Sequence, residues 1–177
     1  MTRTPGPSFG IMTAPMQVGY HDILRVWREA DAIPEIGHAW LFDHLMPIAG
    51  DPDGPVHEGW TLLSALAAQT RRLRLGLLVT SNRFRPPALL AKIAATADIV
   101  SGGRLDFGIG AGSRPGHPLA RREYEALPVD YDQPGLTRDS IGAALDAGFR
   151  HIILSLGSPY PAGAAQWVAD ELVAKAS

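Results

Sequence analysis

The sequence predicts an α/β fold, a parallel sheet with helices packed outside it. Three observations predict this. Short, continuously apolar runs such as LGLLV and HIILSL suit strands covered on both faces. Runs with helical spacing alternate with them along the chain. Between Leu73 and Ser113 the pattern reads strand, helix, strand, and two parallel strands need such a crossover.

Each element has a local reason. Phe9 to Thr13 is a short apolar run after a Pro/Gly-rich start, a first strand. Asp22 can cap a helix carrying Ile23, Val26, Trp27 and Ala30, which Pro34 and Gly37 end. His38 to His44 is a second strand, apolar until Asp43-His44. A long Pro-, Gly- and Asp-rich loop follows, then a helix over Thr61 to Thr70. Leu73 to Thr80 is the third strand. Pro86-Pro87 opens the third helix and Gly102-Gly103 closes it. Leu105 to Ile109 is the fourth strand. Leu119 to Ala126 suits a short helix, and Leu127 to Gly135 suits either a short strand and turn or a linker. Thr137 can cap a helix with Ile141, Ala144 and Leu145 inward and Gly148 as its stop. His151 to Leu156 is a buried strand, and Ala164 to Ala176 is a last amphipathic helix.

Composition narrows the function. The chain has 177 residues, enough for one domain, whereas a complete (β/α)8 barrel takes about 250. The net charge of −2 leaves no electrostatic footprint for nucleic acid. No cysteine is present, which excludes disulfides, thiolate zinc sites and a cysteine nucleophile and fits a reducing cytoplasm. The N-terminus has no signal-peptide layout, and no window has the apolar length of a membrane span.

Four groups of residues can carry chemistry. Asp43-His44 stands at a strand end, where a carboxylate can orient an imidazole that exchanges protons or polarises a carbonyl. Thr80 to Arg85 (TSNRFR) offers hydroxyl, amide and guanidinium donors to a polar ligand, or forms a solvated turn. Gly108-Ile109-Gly110-Ala111-Gly112 permits close backbone approach to a cofactor. It is GxGxG without an acidic partner downstream, so a dinucleotide-binding reading is weak. Arg114, Arg121 and Arg122 can bind phosphate or line a surface helix. A rival set for a metal-dependent hydrolase is Asp43, His44, Asp51, Asp53, His57 and Glu58. Their spacing matches no ligand motif, so no metal is expected.

WLFDHLMP, the long run from LGLLVTSNRFRPPALLAKIAATADIVSGGRLDFGIGAG, and TRDSIGAALDAGFRHIILSLGSPYP together resemble the luciferase-like monooxygenase family. That family consists of (β/α)8 barrels using a flavin or the deazaflavin F420. The resemblance implies an abbreviated (β/α)8 TIM barrel, one domain over residues 1–177. A bridge at about 114–135 replaces a fourth helix and the fifth and sixth strands with their helices. It implies a flavin- or deazaflavin-dependent oxidoreductase or monooxygenase with FMN or F420 as cofactor and a small organic substrate. His44 would be the catalytic polar group, oriented by Asp43. Leu77, Leu78, Thr80, Gly110, Ala111, Gly112 and Ser113 would line the flavin pocket. The family's non-prolyl cis peptide, aligned on Pro87, falls at Leu77-Leu78. Ser113 stands where some family members carry an acidic residue. The alternative is a catalytically inactive, barrel-derived binding protein. Strands left without neighbours expose an edge, so a homodimer or larger assembly is expected.

Overall fold

The computed structural model describes residues 6–110 and 126–175. The first strand, β1 (Ser8–Thr13), lies inside the sheet between β2 (Ile36–Leu41) and β8 (His151–Leu156), parallel to both. Beyond β2 come β3 (Arg74–Leu77) and then β5 (Leu105–Asp106). Beyond β8 lies β7 (Ala126–Pro128). Among the described residues the order is β5-β3-β2-β1-β8-β7, every pairing is parallel, and the sheet does not close into a barrel. A short parallel pair, β4 (Thr80–Ser81) with β6 (Ile109–Gly110), extends the β3 and β5 edge.

Four helices cover one face: α1 (Tyr20–Asp31), α2 (Gly59–Gln69), α3 (Pro87–Ser101) and α4 (Pro134–Asp146). A fifth, α5 (Ala164–Val168), continues as a π-helical turn over Ala169–Val173. The apolar positions read from the sequence make the core, with Ile23, Val26 and Trp27 of α1 fully enclosed beside Ile11, Leu41, Leu75 and Leu154. Trp27 meets its polar need by donating to the Thr13 hydroxyl at 2.8 Å.

Several boundaries differ from the sequence reading. Gly19 precedes α1 without a side-chain cap, and Asp22 sits in the first turn, where its charge suits the helix dipole. Strand β2 stops at Leu41, so Asp43-His44 lies past its end. The third and fourth strands are each interrupted, at residues 78–79 and 107–108. Helix α4 begins at Pro134, so Thr137 lies within it, its hydroxyl accepting the Asp130 N–H at 3.3 Å. The last helix is α-helical only over its first five residues.

Two arginines tie helix ends to strand starts. Arg72 donates to the carbonyls of Ala30, Asp31, Ile33 and Ile36. Arg104 donates to those of Ala67, Thr70, Leu73 and Ser101. Each satisfies carbonyls that a helix terminus leaves without partners. Asp31 matches Arg72 by accepting the N–H groups of Arg71, Arg72 and Leu73. Burial raises its carboxyl, but those bonds and the Arg72 charge outweigh it and hold the pKa below the ordinary value.

A second set of buried groups lies outside the main core. His38 and Trp40 share one face of β2 by strand alternation. The Trp40 indole donates to His38 Nδ1 at 2.7 Å. Gly10 faces His38 across the strand pair, and a Cβ there would lie 1.8 Å from Nδ1. Gly76 in the same way leaves room for the Trp40 ring, 2.7 Å from where its Cβ would be.

Candidate active site

The site is built where β2, β4 and β6 end. Past β3 the chain stays paired with β2: Leu78 donates its N–H to the Leu41 carbonyl at 2.7 Å. Asp43 then turns inward, and its side chain has no exposed surface. Oδ2 accepts the Thr80 hydroxyl at 2.7 Å, the Ser81 N–H at 3.1 Å and Arg85 Nη1 at 2.6 Å, while Oδ1 accepts Arg85 Nη2 at 2.8 Å. Arg85 also pairs with Glu58, which caps α2 by accepting the Thr61 N–H at 2.7 Å. Burial pushes the Glu58 carboxyl up; the Thr61 bonds and the Arg85 guanidinium outweigh it and hold the pKa below the usual value.

This arrangement corrects the expected Asp43–His44 pair. Asp43 is turned to Arg85, Thr80 and Ser81 rather than to His44. The His44 ring is partly exposed and meets Phe42 edge-on at 5.1 Å. Arg85 is likewise committed to two carboxylates and is not a donor waiting for ligand. Nothing local marks this, because the partners are 42 and 27 residues away.

The residues expected to line the flavin pocket fall into three groups. Leu77 is 1% exposed and belongs to the core, and Thr80 is fully buried with its hydroxyl accepting the Trp60 indole N–H at 2.9 Å. Neither side chain faces the mouth. Leu78 and Gly110 are partly exposed there. Ala111, Gly112 and Ser113 lie outside the described residues, as do Arg114, Arg121 and Arg122. The non-prolyl cis bond is Leu78-Val79, one residue beyond the expected Leu77-Leu78.

The glycines serve the protein's own backbone. A Cβ on Gly108 would lie 2.5 Å from the Leu77 carbonyl oxygen, and one on Gly110 would lie 2.5 Å from a Val79 methyl. Val79, Phe107 and Ile109 stand 41%, 47% and 55% exposed at this end of the sheet. Val79 lies on the face of Gly108 and Gly110, while strand alternation turns Ile109 to the other face and Phe107 meets the Trp60 ring at 5.9 Å. The exposed Val79 side chain suits contact with the face of a planar, largely apolar ring system.

The rival metal set is dispersed. Asp43 and Glu58 are held by Arg85, His57 Nε2 lies 3.0 Å from the Val18 carbonyl, and Asp51 accepts the Asp53 N–H. Among the described residues no three His, Asp or Glu side chains gather as a metal site. Behind the Arg85 network a cleft of about 580 Å³ opens between α2 and α3, lined by Leu45, Phe84, Leu89, Lys92, Ile93 and Thr96.

A parallel α/β sheet with polar groups gathered at the C-terminal strand ends has the layout of the (β/α)-barrel class of folds. The profile of the luciferase-like monooxygenases matches residues 8–135, and the chain belongs to that family. A phthiodiolone/phenolphthiodiolone dimycocerosates ketoreductase of Mycobacterium sp. (strain JLS) is 42% identical over 81 residues, which are 45% of this chain and 20% of the relative. The coenzyme F420-dependent tetrahydromethanopterin reductase of Methanopyrus kandleri superposes with a TM-score of 0.52 at 28% identity, over 62% of this chain and 28% of that one. The oxygenating constituent of 3,6-diketocamphane monooxygenase from Pseudomonas putida, in complex with FMN, shares the fold with a TM-score of 0.50 at 20% identity. That match covers 62% of this chain and 31% of that one. The chain thus spans only a fifth to a third of these proteins. Among the described residues no helix is long and apolar enough to cross a membrane.

Proposed function

We propose that this chain is a luciferase-like oxidoreductase acting with reduced FMN or F420 on a small organic substrate in the cytoplasm. The observation that carries the reading is His44. It is a partly exposed imidazole just past the end of β2, on a backbone anchored by buried Asp43. Leu78, Val79 and Gly110 would support the ring of the cofactor, and a part for Ala111, Gly112 and Ser113 rests on the family resemblance alone. When bound, the cofactor supplies the hydride or oxygen chemistry. His44 holds or delivers a proton at the substrate oxygen through an imidazole nitrogen. Asp43 acts through the main chain, and the exposed Val79 side chain would exclude water from one face of the ring.

The test is calorimetry and fluorescence titration with FMN and with F420. Binding is expected to be weak, because the family segments after the fourth strand are shortened. His44→Ala should abolish turnover and leave the melting temperature within about 2 °C, since a partly exposed side chain contributes little to folding. No binding of either cofactor up to about millimolar (roughly −4 kcal/mol) would favour a non-catalytic scaffold.

The same proposal includes a homodimer. Among the described residues the sheet is open at β5 and β7, and Ile99 and Val100 of α3 stand 79% and 45% exposed on the flank beside β5. Unpaired edges and apolar flanks of this kind pair with other chains. Light scattering coupled to size exclusion at micromolar concentration should give a mass of at least twice 18.9 kDa. A cooperatively melting monomer would refute it.

A further inference from the structure

We infer that Arg85 is a positioning residue for the His44 site, a role that rests on the function proposed above. Its guanidinium lies just before α3, 9% exposed, and bonds two separate pieces of chain directly and a third through Asp43. It grips both oxygens of Asp43 at the β2 exit, at 2.6 and 2.8 Å. It also bonds Glu58, whose other oxygen holds the N-terminus of α2. Through Asp43 it reaches the β4 exit, because the same carboxylate accepts the Thr80 hydroxyl and the Ser81 N–H. Four donors therefore fill one carboxylate, and the backbone on which His44 follows Asp43 is locked from behind.

The geometry requires the fork of an arginine. A guanidinium presents several N–H groups in one plane and can serve two carboxylates at once. A lysine ammonium is a compact charge on a flexible stem and cannot reproduce the bidentate grip. Arg85→Lys keeps the charge and lets the carboxylate rotate. The segment from Phe42 to His44 then loses its fixed direction relative to β4, and the imidazole samples several positions at the mouth. Loss of a set orientation at a working side chain is costly even when the shift is near 1 Å.

The experiment is nitrogen-proton NMR of the imidazoles in the full chain, with the His44 signals assigned by their loss in His44→Gln. Cofactor affinity is measured in parallel from fluorescence. Arg85→Lys is expected to shift or broaden the His44 imidazole signals, to leave those of His21 on α1 unchanged, and to weaken FMN or F420 binding about tenfold. If Arg85→Lys does not fold, Asp43→Asn with Arg85 intact should give the same His44 fingerprint. A lowered melting temperature with His44 signals unmoved in the folded variant would show a purely structural ion pair and overturn the inference. A wild-type protein that binds neither cofactor would sink the proposed function instead, and the imidazole spectra would still decide the role of Arg85.

Discussion

Asp43→Ala is expected to cost about 3–5 kcal/mol of folding stability, the range for removing one partner of a buried ion pair. The substitution leaves the Arg85 guanidinium enclosed with only Glu58 to balance it. It also removes the acceptor for the Thr80 hydroxyl and the Ser81 N–H. Buried donors without acceptors add to the cost. In a chain of this size the melting temperature should fall by roughly 10 °C or more. Asp43→Asn preserves shape and one acceptor oxygen and should lie between. Thermal and urea unfolding followed by circular dichroism measures all three proteins. The contrast with His44→Ala matters most: adjacent residues, one structural in its energetics and one not. An Asp43→Ala protein within about 1 kcal/mol of wild type would contradict the network described above.

The second large effect is a loss of stability in mild acid, centred on His38. The Trp40 indole can only donate, so His38 Nδ1 must accept and the neutral ring carries its proton on Nε2. Protonating Nδ1 would set two N–H groups against each other. Burial and the neighbouring His151 lower the pKa from the ordinary 6.5 to about 4, with the Arg74 charge acting the same way and the Ser8 carbonyl and Asp106 opposing. The unfolded chain therefore binds a proton that the folded chain refuses between those values. Stability is fully present above pH 6.5 and falls as pH drops towards 4, by about 3 kcal/mol in all. Asp31 and Glu58 are held below their usual values, so their losses come at lower pH. His38→Gln, whose amide oxygen can still accept the indole N–H, should flatten the curve between pH 7 and 5. A His151→Gln control separates the neighbouring ring. Parallel pH curves for wild type and His38→Gln would defeat this account.

Much of the architecture was legible in the chain itself. Apolar periodicity of two kinds separates strands from helices, and the crossovers make neighbouring strands parallel. Pro86-Pro87 and Gly102-Gly103 bracket α3 as expected. HIILSL forms β8 with its predicted bounds, although His44 lies past the C-terminal end of β2 rather than within the strand. These features depend on burial and backbone preference, which a local pattern records. Tertiary structure decided the rest. Whether Asp43 would face His44 beside it or Arg85 42 residues away depended on how β2 and β4 align, and residue spacing does not encode that alignment. The glycines of GIG are required by Leu77 and Val79 on a neighbouring strand, which no reading of the motif alone could find. The interruptions of the third and fourth strands, the burial of Thr80 and the unclosed sheet have the same origin. Sequence determines which residues must be inside; packing between distant segments determines which polar groups meet there.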